Sequence, residues 1–137
     1  MLHEVVAALI IRSQKILLGH RAVTRAFYPN VWDVFGGHVE PGEQHDQTLV
    51  RELQEELGIT ATTWKFVETI SLPSEGQSDP VTVHLYLVTA WTGTPTNRQH
   101  EEHSAIAWFS ESQAAGLPLA HPAYPMLFAR YLASADG

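Results

Sequence analysis

Apolar residues fall into two kinds of run along this chain, and the spacing within each predicts its element. Val5–Ile11 (VVAALII) is continuous and rich in β-branched side chains, which predicts a buried strand. Arg12–Lys15 reads as a turn and Ile16–His20 as the returning strand. Ala22–Asn30 reads as irregular and closes on the turn signal Tyr28-Pro29-Asn30. Val31–Phe35 is strand-like and runs into Gly36-Gly37, where backbone freedom replaces side chains. From about His45 to Leu57 the period changes. Leu49, Val50, Leu53 and Leu57 fall on one side of a helix, with Gly58 placed as its stop. Thr62–Ser71 and Val81–Trp91 are long, partly alternating strands, joined by a Pro- and Gly-containing loop over Leu72–Pro80. Thr92-Gly93-Thr94 is a further turn and Ala105–Phe109 a short strand. Ser110 reads as the N-cap of a helical turn stopped near Gly116. A last helix starts near Pro122 and carries Met126, Leu127 and Tyr131 inward, with Ser134–Gly137 as a frayed end. The class this predicts is α+β: a mixed sheet with helices on its faces, in one domain over residues 1–137.

Composition narrows the function. With 45% hydrophobic residues in 137, the chain is long enough to bury a single core. Its longest apolar run is too short to cross a bilayer and lacks signal-peptide architecture, so no membrane association is expected. There is no cysteine, hence no disulfide framework and no thiolate chemistry; the expected setting is a soluble, cytoplasmic one. A net charge of −7 argues against binding a nucleic-acid polymer, which needs a basic footprint. Nothing in the sequence specifies an oligomeric state. Many of the acids lie in one short segment, and their location matters more than their number.

That segment runs GHVEPGEQHDQTLVRELQEELGI from Gly37. On a helix Glu52, Glu55 and Glu56 share an arc of about 100°, along the edge of the leucine stripe. Two readings remain open on spacing alone. The acids form a solvated helix face, or they repel one another at the margin of a buried face and need a cation. Hard oxygen donors favour Mg²⁺, with Mn²⁺ as the alternative. Glu43 at the helix start suits the positive end of the dipole, and Arg51 can pair with a carboxylate and hold it.

The same residues resemble the Nudix box, G-x5-E-x7-R-E-U-x-E-E-x-G-U with U aliphatic. Gly37, Glu43, Arg51, Glu52, Leu53, Glu55, Glu56, Gly58 and Ile59 occupy every fixed position. The resemblance implies the Nudix fold, an α/β/α sandwich around a mixed sheet. It also implies hydrolysis of a phosphoanhydride bond in a nucleoside diphosphate derivative, assisted by a divalent metal. Glu52, Glu55 and Glu56 are then the metal ligands, with Gly37 placed at the metal beside them. Glu52 or a neighbour deprotonates the water, while Arg51 and Glu43 orient the ligands. Leu53 and Ile59 serve the core. A further carboxylate from a downstream loop is expected, with Glu102 preferred to Glu101, whereas His103 reads as a surface histidine.

A small-molecule nucleotide substrate needs more than carboxylates. Arg21, then Arg25, are the candidates for its phosphate tail. Val34, Phe35, Tyr86 and Trp32 are candidates for an apolar wall against the base. The short chain, with its WDVFGGHVEPGE and EHSAIAWF segments, resembles the MutT-like branch, which removes pyrophosphate from nucleoside triphosphates. It departs from that branch at Phe35, where proline is common, and in lacking an asparagine near Ala120–Tyr124; both argue against oxidised-guanine specificity. Pro73 is a hint toward the alternative, an ADP-ribose or nucleotide-sugar pyrophosphatase. A non-catalytic nucleotide sensor is the other class, and the retained box carboxylates argue against it.

Overall fold

The computed structural model of the chain describes residues 3–22, 30–72 and 80–135. Its element order is β1 (His3–Arg12), β2 (Lys15–Arg21), β3 (Trp32–Asp33), β4 (Phe35–His38), α1 (His45–Leu57), β5 (Thr60–Leu72), β6 (Val81–Thr92), β7 (His103–Ser110), α2 (Glu111–Ala115) and α3 (Tyr124–Ala135). The mixed sheet runs β3-β2-β1-β6-β5, with β4 also paired to β1 and β7 to β2. Among the described strands β1 and β6 pair in parallel and the other strand pairs are antiparallel.

The continuous apolar run of β1 is explained by its place at the centre of the sheet, where both faces are covered. Val6, Ala8 and Ile10 enter one core, with Leu49, Leu53 and Leu57 of α1. Ala7, Leu9 and Ile11 enter the other, with Tyr124, Leu127, Phe128 and Leu132 of α3. β6 splits likewise, Tyr86 and Val88 toward α1 and Val83, Leu85 and Leu87 toward α3. The result is the expected α/β/α sandwich. The three α1 leucines are fully buried, each contributing about 1.5–3 kcal/mol of hydrophobic stabilisation. Among the described residues no helix is long and apolar enough to cross a membrane.

Helix α1 keeps the bounds its periodicity predicts. At its start Gln44 N–H donates to Gln47 Oε1 at 2.8 Å, and at its end Gly58 takes the left-handed conformation (φ 70°). The β1–β2 turn is made by Ser13 and Gln14, both at positive φ (54° and 62°), the geometry of a tight hairpin. Ser110 caps α2 by accepting from Gln113 N–H.

Three expectations are corrected. Val31–Phe35 is not one strand: Trp32–Asp33 pairs with β2, while Phe35–His38, including both glycines, pairs with β1. Gly36 lies at φ 150°, and a Cβ there would sit 1.9 Å from the Val6 carbonyl oxygen, so glycine is what lets the two backbones approach. The last helix starts at Tyr124 rather than Pro122. Its buried stripe is Tyr124, Leu127, Phe128 and Leu132, at helical spacing, which turns Met126 outward to 60% exposure.

Candidate metal and active site

Helix α1 presents its three box glutamates at three depths. Glu56 falls within the buried stripe beside Leu49, Leu53 and Leu57 and is 5% exposed. Its Oε2 accepts the Gly36 N–H at 3.0 Å, so the strand that glycine brings close to β1 also holds the deepest acid. Burial pushes the Glu56 carboxyl up to about 9, and the neighbouring charges of Glu52, Glu102 and Asp33 push the same way. Glu52 lies at the margin, its carboxylate against Gly37. A Cβ on Gly37 would come within 2.4 Å of it, so Gly37 is the space into which Glu52 folds. Burial raises the Glu52 carboxyl as well, opposed by its hydrogen bond to Arg51. Glu55 points outward, its side chain 50% exposed.

The single acidic face expected from spacing is therefore opened out. Among the described residues, the metal-capable group that includes Glu56 contains Glu102 and His103, with ligand atoms within 4.8 Å of one another. Glu102 arrives from the turn just before β7, while Glu101 is exposed. His103, expected on the surface, is 5% exposed. Its register partner is Arg21 of β2, and its ring occupies the place a Cβ on Gly19 would need, at 2.6 Å. The missed signal was Gly19 itself, a glycine inside a strand, which marks a close approach.

Arg51 organises the outer acids. Its Nε donates to Glu43 Oε2 at 2.7 Å and one terminal nitrogen to Glu43 Oε1 at 3.0 Å, a two-pronged grip. The other terminal nitrogen reaches Glu52 Oε1 at 2.9 Å and Glu55 Oε2 at 3.3 Å. The guanidinium also donates to the His38 carbonyl at 3.1 Å, which ties α1 to β4. Held by Arg51 and by the Thr48 hydroxyl at 2.7 Å, the Glu43 carboxyl drops to about 2.

The substrate candidates are dispersed. Arg21 is paired with Asp33 at 3.5 Å, so its charge is committed in part to a neighbour rather than aimed freely at a phosphate tail. Arg25 and Pro73 lie outside the described residues. Phe35 is 1% exposed and serves the α1-side core, so it has no surface to offer a base. Trp32 and Val34 pack against the α3-side core, whereas Tyr86 belongs to the α1 side. The four aromatic and apolar candidates do not form one wall. Tyr86 instead lines an open cleft of about 590 Å³ with Trp64, Phe66 and the residues that open α1. Sequence reasoning missed Asp33. This acid accepts the Tyr124 hydroxyl and the Val34 N–H at 2.8 Å each, and burial raises its carboxyl.

The donor set fits a divalent cation. Three carboxylates, Glu52, Glu56 and Glu102, converge at the buried end of α1, where burial first and their mutual repulsion second disfavour the charged form of Glu56. A mixed-sheet sandwich with such an acid set at one helix defines a metal-dependent hydrolase class. The NUDIX domain family model matches residues 1–130, and the chain belongs to the Nudix family. It is 40% identical over 124 residues to the CTP pyrophosphohydrolase of Escherichia coli, covering 90% of this chain and 87% of the relative. With the 8-oxo-dGTP diphosphatase of the same organism it shares 35% identity over 96 residues, 69% of this chain and 72% of the relative. The crystal structure of a MutT Nudix hydrolase from Burkholderia pseudomallei superposes with a TM-score of 0.85 at 25% identity, covering 96% of this chain and 98% of that one. The predicted fold is thereby the observed one.

Proposed function

We propose that this Nudix protein is a Mg²⁺-dependent nucleoside triphosphate pyrophosphohydrolase of MutT-like type, releasing pyrophosphate and a nucleoside monophosphate. The observation that supports it most is the intact acid set around Glu56, in a chain so similar to a CTP pyrophosphohydrolase. Glu52, Glu56 and Glu102 would hold the metal at the centre, with Glu55 at the rim and the Gly37 backbone alongside. A bound Mg²⁺ would polarise phosphate oxygens and lower the pKa of the attacking water.

The protein's own groups supply position. Arg51 occupies Glu52 Oε1, and we assign Oε2 of the same residue to the water proton. Gly36 N–H keeps Glu56 from rotating away, and the Arg51–Glu43 pair keeps Arg51 itself in place. The base end is assigned to Asp33. Its carboxyl, 18% exposed and beside Arg21 and Tyr124, offers donor and acceptor to a base edge when protonated. Mg²⁺-dependent pyrophosphate release across CTP, the other nucleoside triphosphates, 8-oxo-dGTP, ADP-ribose and nucleotide sugars tests this reading. Turnover should concentrate on the triphosphates, and no turnover on any of them would sink it.

A further inference from the structure

A second polar cluster lies on the α1 side of the sheet and uses none of the fixed box positions. Glu4 stands on β1 on the same face as Val6, and His84 stands on β6 on the same face as Tyr86. His45 is the first residue of α1. Glu4 Oε1 is 3.0 Å from His84 Nε2 and 3.8 Å from His45 Nε2. The two imidazoles stack with centroids 3.9 Å apart, and the three ligand atoms lie within 4.8 Å of one another.

Three features of this arrangement point the same way. The donors are two imidazoles and one carboxylate, a set that suits Zn²⁺ and its neighbours and not Mg²⁺. A tetrahedral ion at about 2.0–2.1 Å from each donor needs donors roughly 3.3 Å apart, and the two measured separations bracket that value. A turn of the partly exposed His45 ring is the adjustment required. Behind the set, His84 Nδ1 is 3.0 Å from the Thr69 hydroxyl on β5. A Nδ1–H donated to Thr69 leaves the Nε2 lone pair facing Glu4, the tautomer a metal requires.

We propose that Glu4, His45 and His84 form a binding site for a divalent transition-metal ion, with Zn²⁺ as its representative. The site joins the first residue of α1 to β1 and β6, so the ion ties the helix that carries Arg51, Glu52 and Glu56 to the centre of the sheet. The two sites differ in donor balance, carboxylates with His103 beside them at the box and two imidazoles with one carboxylate here.

The test is Zn²⁺ titration of the intact protein in excess Mg²⁺, followed by calorimetry and by NMR of the histidine rings. One equivalent should bind, moving the His45 and His84 signals together. Glu4→Gln and His45→Ala, at exposed and half-exposed positions, should each weaken binding at least roughly tenfold, while Glu52→Gln leaves it unchanged. His84 is left intact because it is packed in the sheet. The proposal is overturned if no Zn²⁺ binds, if both variants bind as the parent does, or if Glu52→Gln is the change that abolishes binding.

Discussion

Adjacent glycines in β4 do different jobs, and substituting each with alanine separates them. In Gly37→Ala the new Cβ would lie 2.4 Å from the Glu52 carboxylate, about 1 Å short of ordinary contact. The group that must yield is the end of a flexible side chain, so the fold can absorb the change. What it gives up is the partly buried Arg51–Glu52 contact at 2.9 Å, a charge-assisted hydrogen bond worth about 1.5–3 kcal/mol, partly offset by the roughly 0.4–1 kcal/mol that alanine recovers from the unfolded chain. Activity has no such slack. A carboxylate displaced by about 1 Å at the reacting centre should lower kcat/KM roughly a hundredfold. In Gly36→Ala the Cβ meets the Val6 carbonyl oxygen at 1.9 Å from a backbone at φ 150°. No rotamer relieves that clash, and the Ala7–Gly36 pairing must open, at a cost of roughly 3–5 kcal/mol. Urea unfolding reads the stabilities, and Mg²⁺-dependent pyrophosphate release reads kcat/KM. Wild-type kcat/KM in Gly37→Ala, or equal destabilisation by the two substitutions, would refute the reasoning.

Two further predictions rest on the buried acids. Glu56 titrates near 9 in the folded, metal-free protein against 4.5 when unfolded, so the native state binds the extra proton between those values. Metal-free stability should therefore fall as pH rises from about 4.5 to about 9; Glu56→Gln should flatten that slope in EDTA while abolishing turnover, and an unchanged slope would refute the assignment. Asp33→Asn keeps the size of the side chain but fixes its donor and acceptor, so it should change the ranking of bases by kcat/KM and leave Mg²⁺ affinity alone. An unchanged ranking in the nucleotide panel would rule out Asp33 as a group that reads the base.

What could be read from the sequence divides by how local its cause is. Helix α1 was legible because its stripe, its stop at Gly58 and the box all lie within one stretch of chain. A helical wheel gives angle, however, and not depth. Glu55 and Glu56 are neighbours in sequence, yet one is half-exposed on Arg51 and the other lies under β4. The depth depends on where the sheet sits, and the two glycines set that by letting β4 approach β1 and by leaving Glu52 its space. In the sequence they read only as backbone freedom, because a missing side chain signals equally a turn and a close approach. Arg21 and the aromatic wall were harder still. Whether Trp32 and Tyr86 share a surface depends on strand order, which the chain settles only on folding. The same distinction bears on function. The chemistry of bond cleavage is carried largely by a contiguous motif, so it survives translation from sequence to structure. Groups that could recognise the base come from Asp33 of β3 and Tyr124 of α3, which are 91 residues apart and meet only through the fold. Substrate choice can therefore change through β3, β7 or α3 while the box stays intact, and box agreement by itself carries no information about the base.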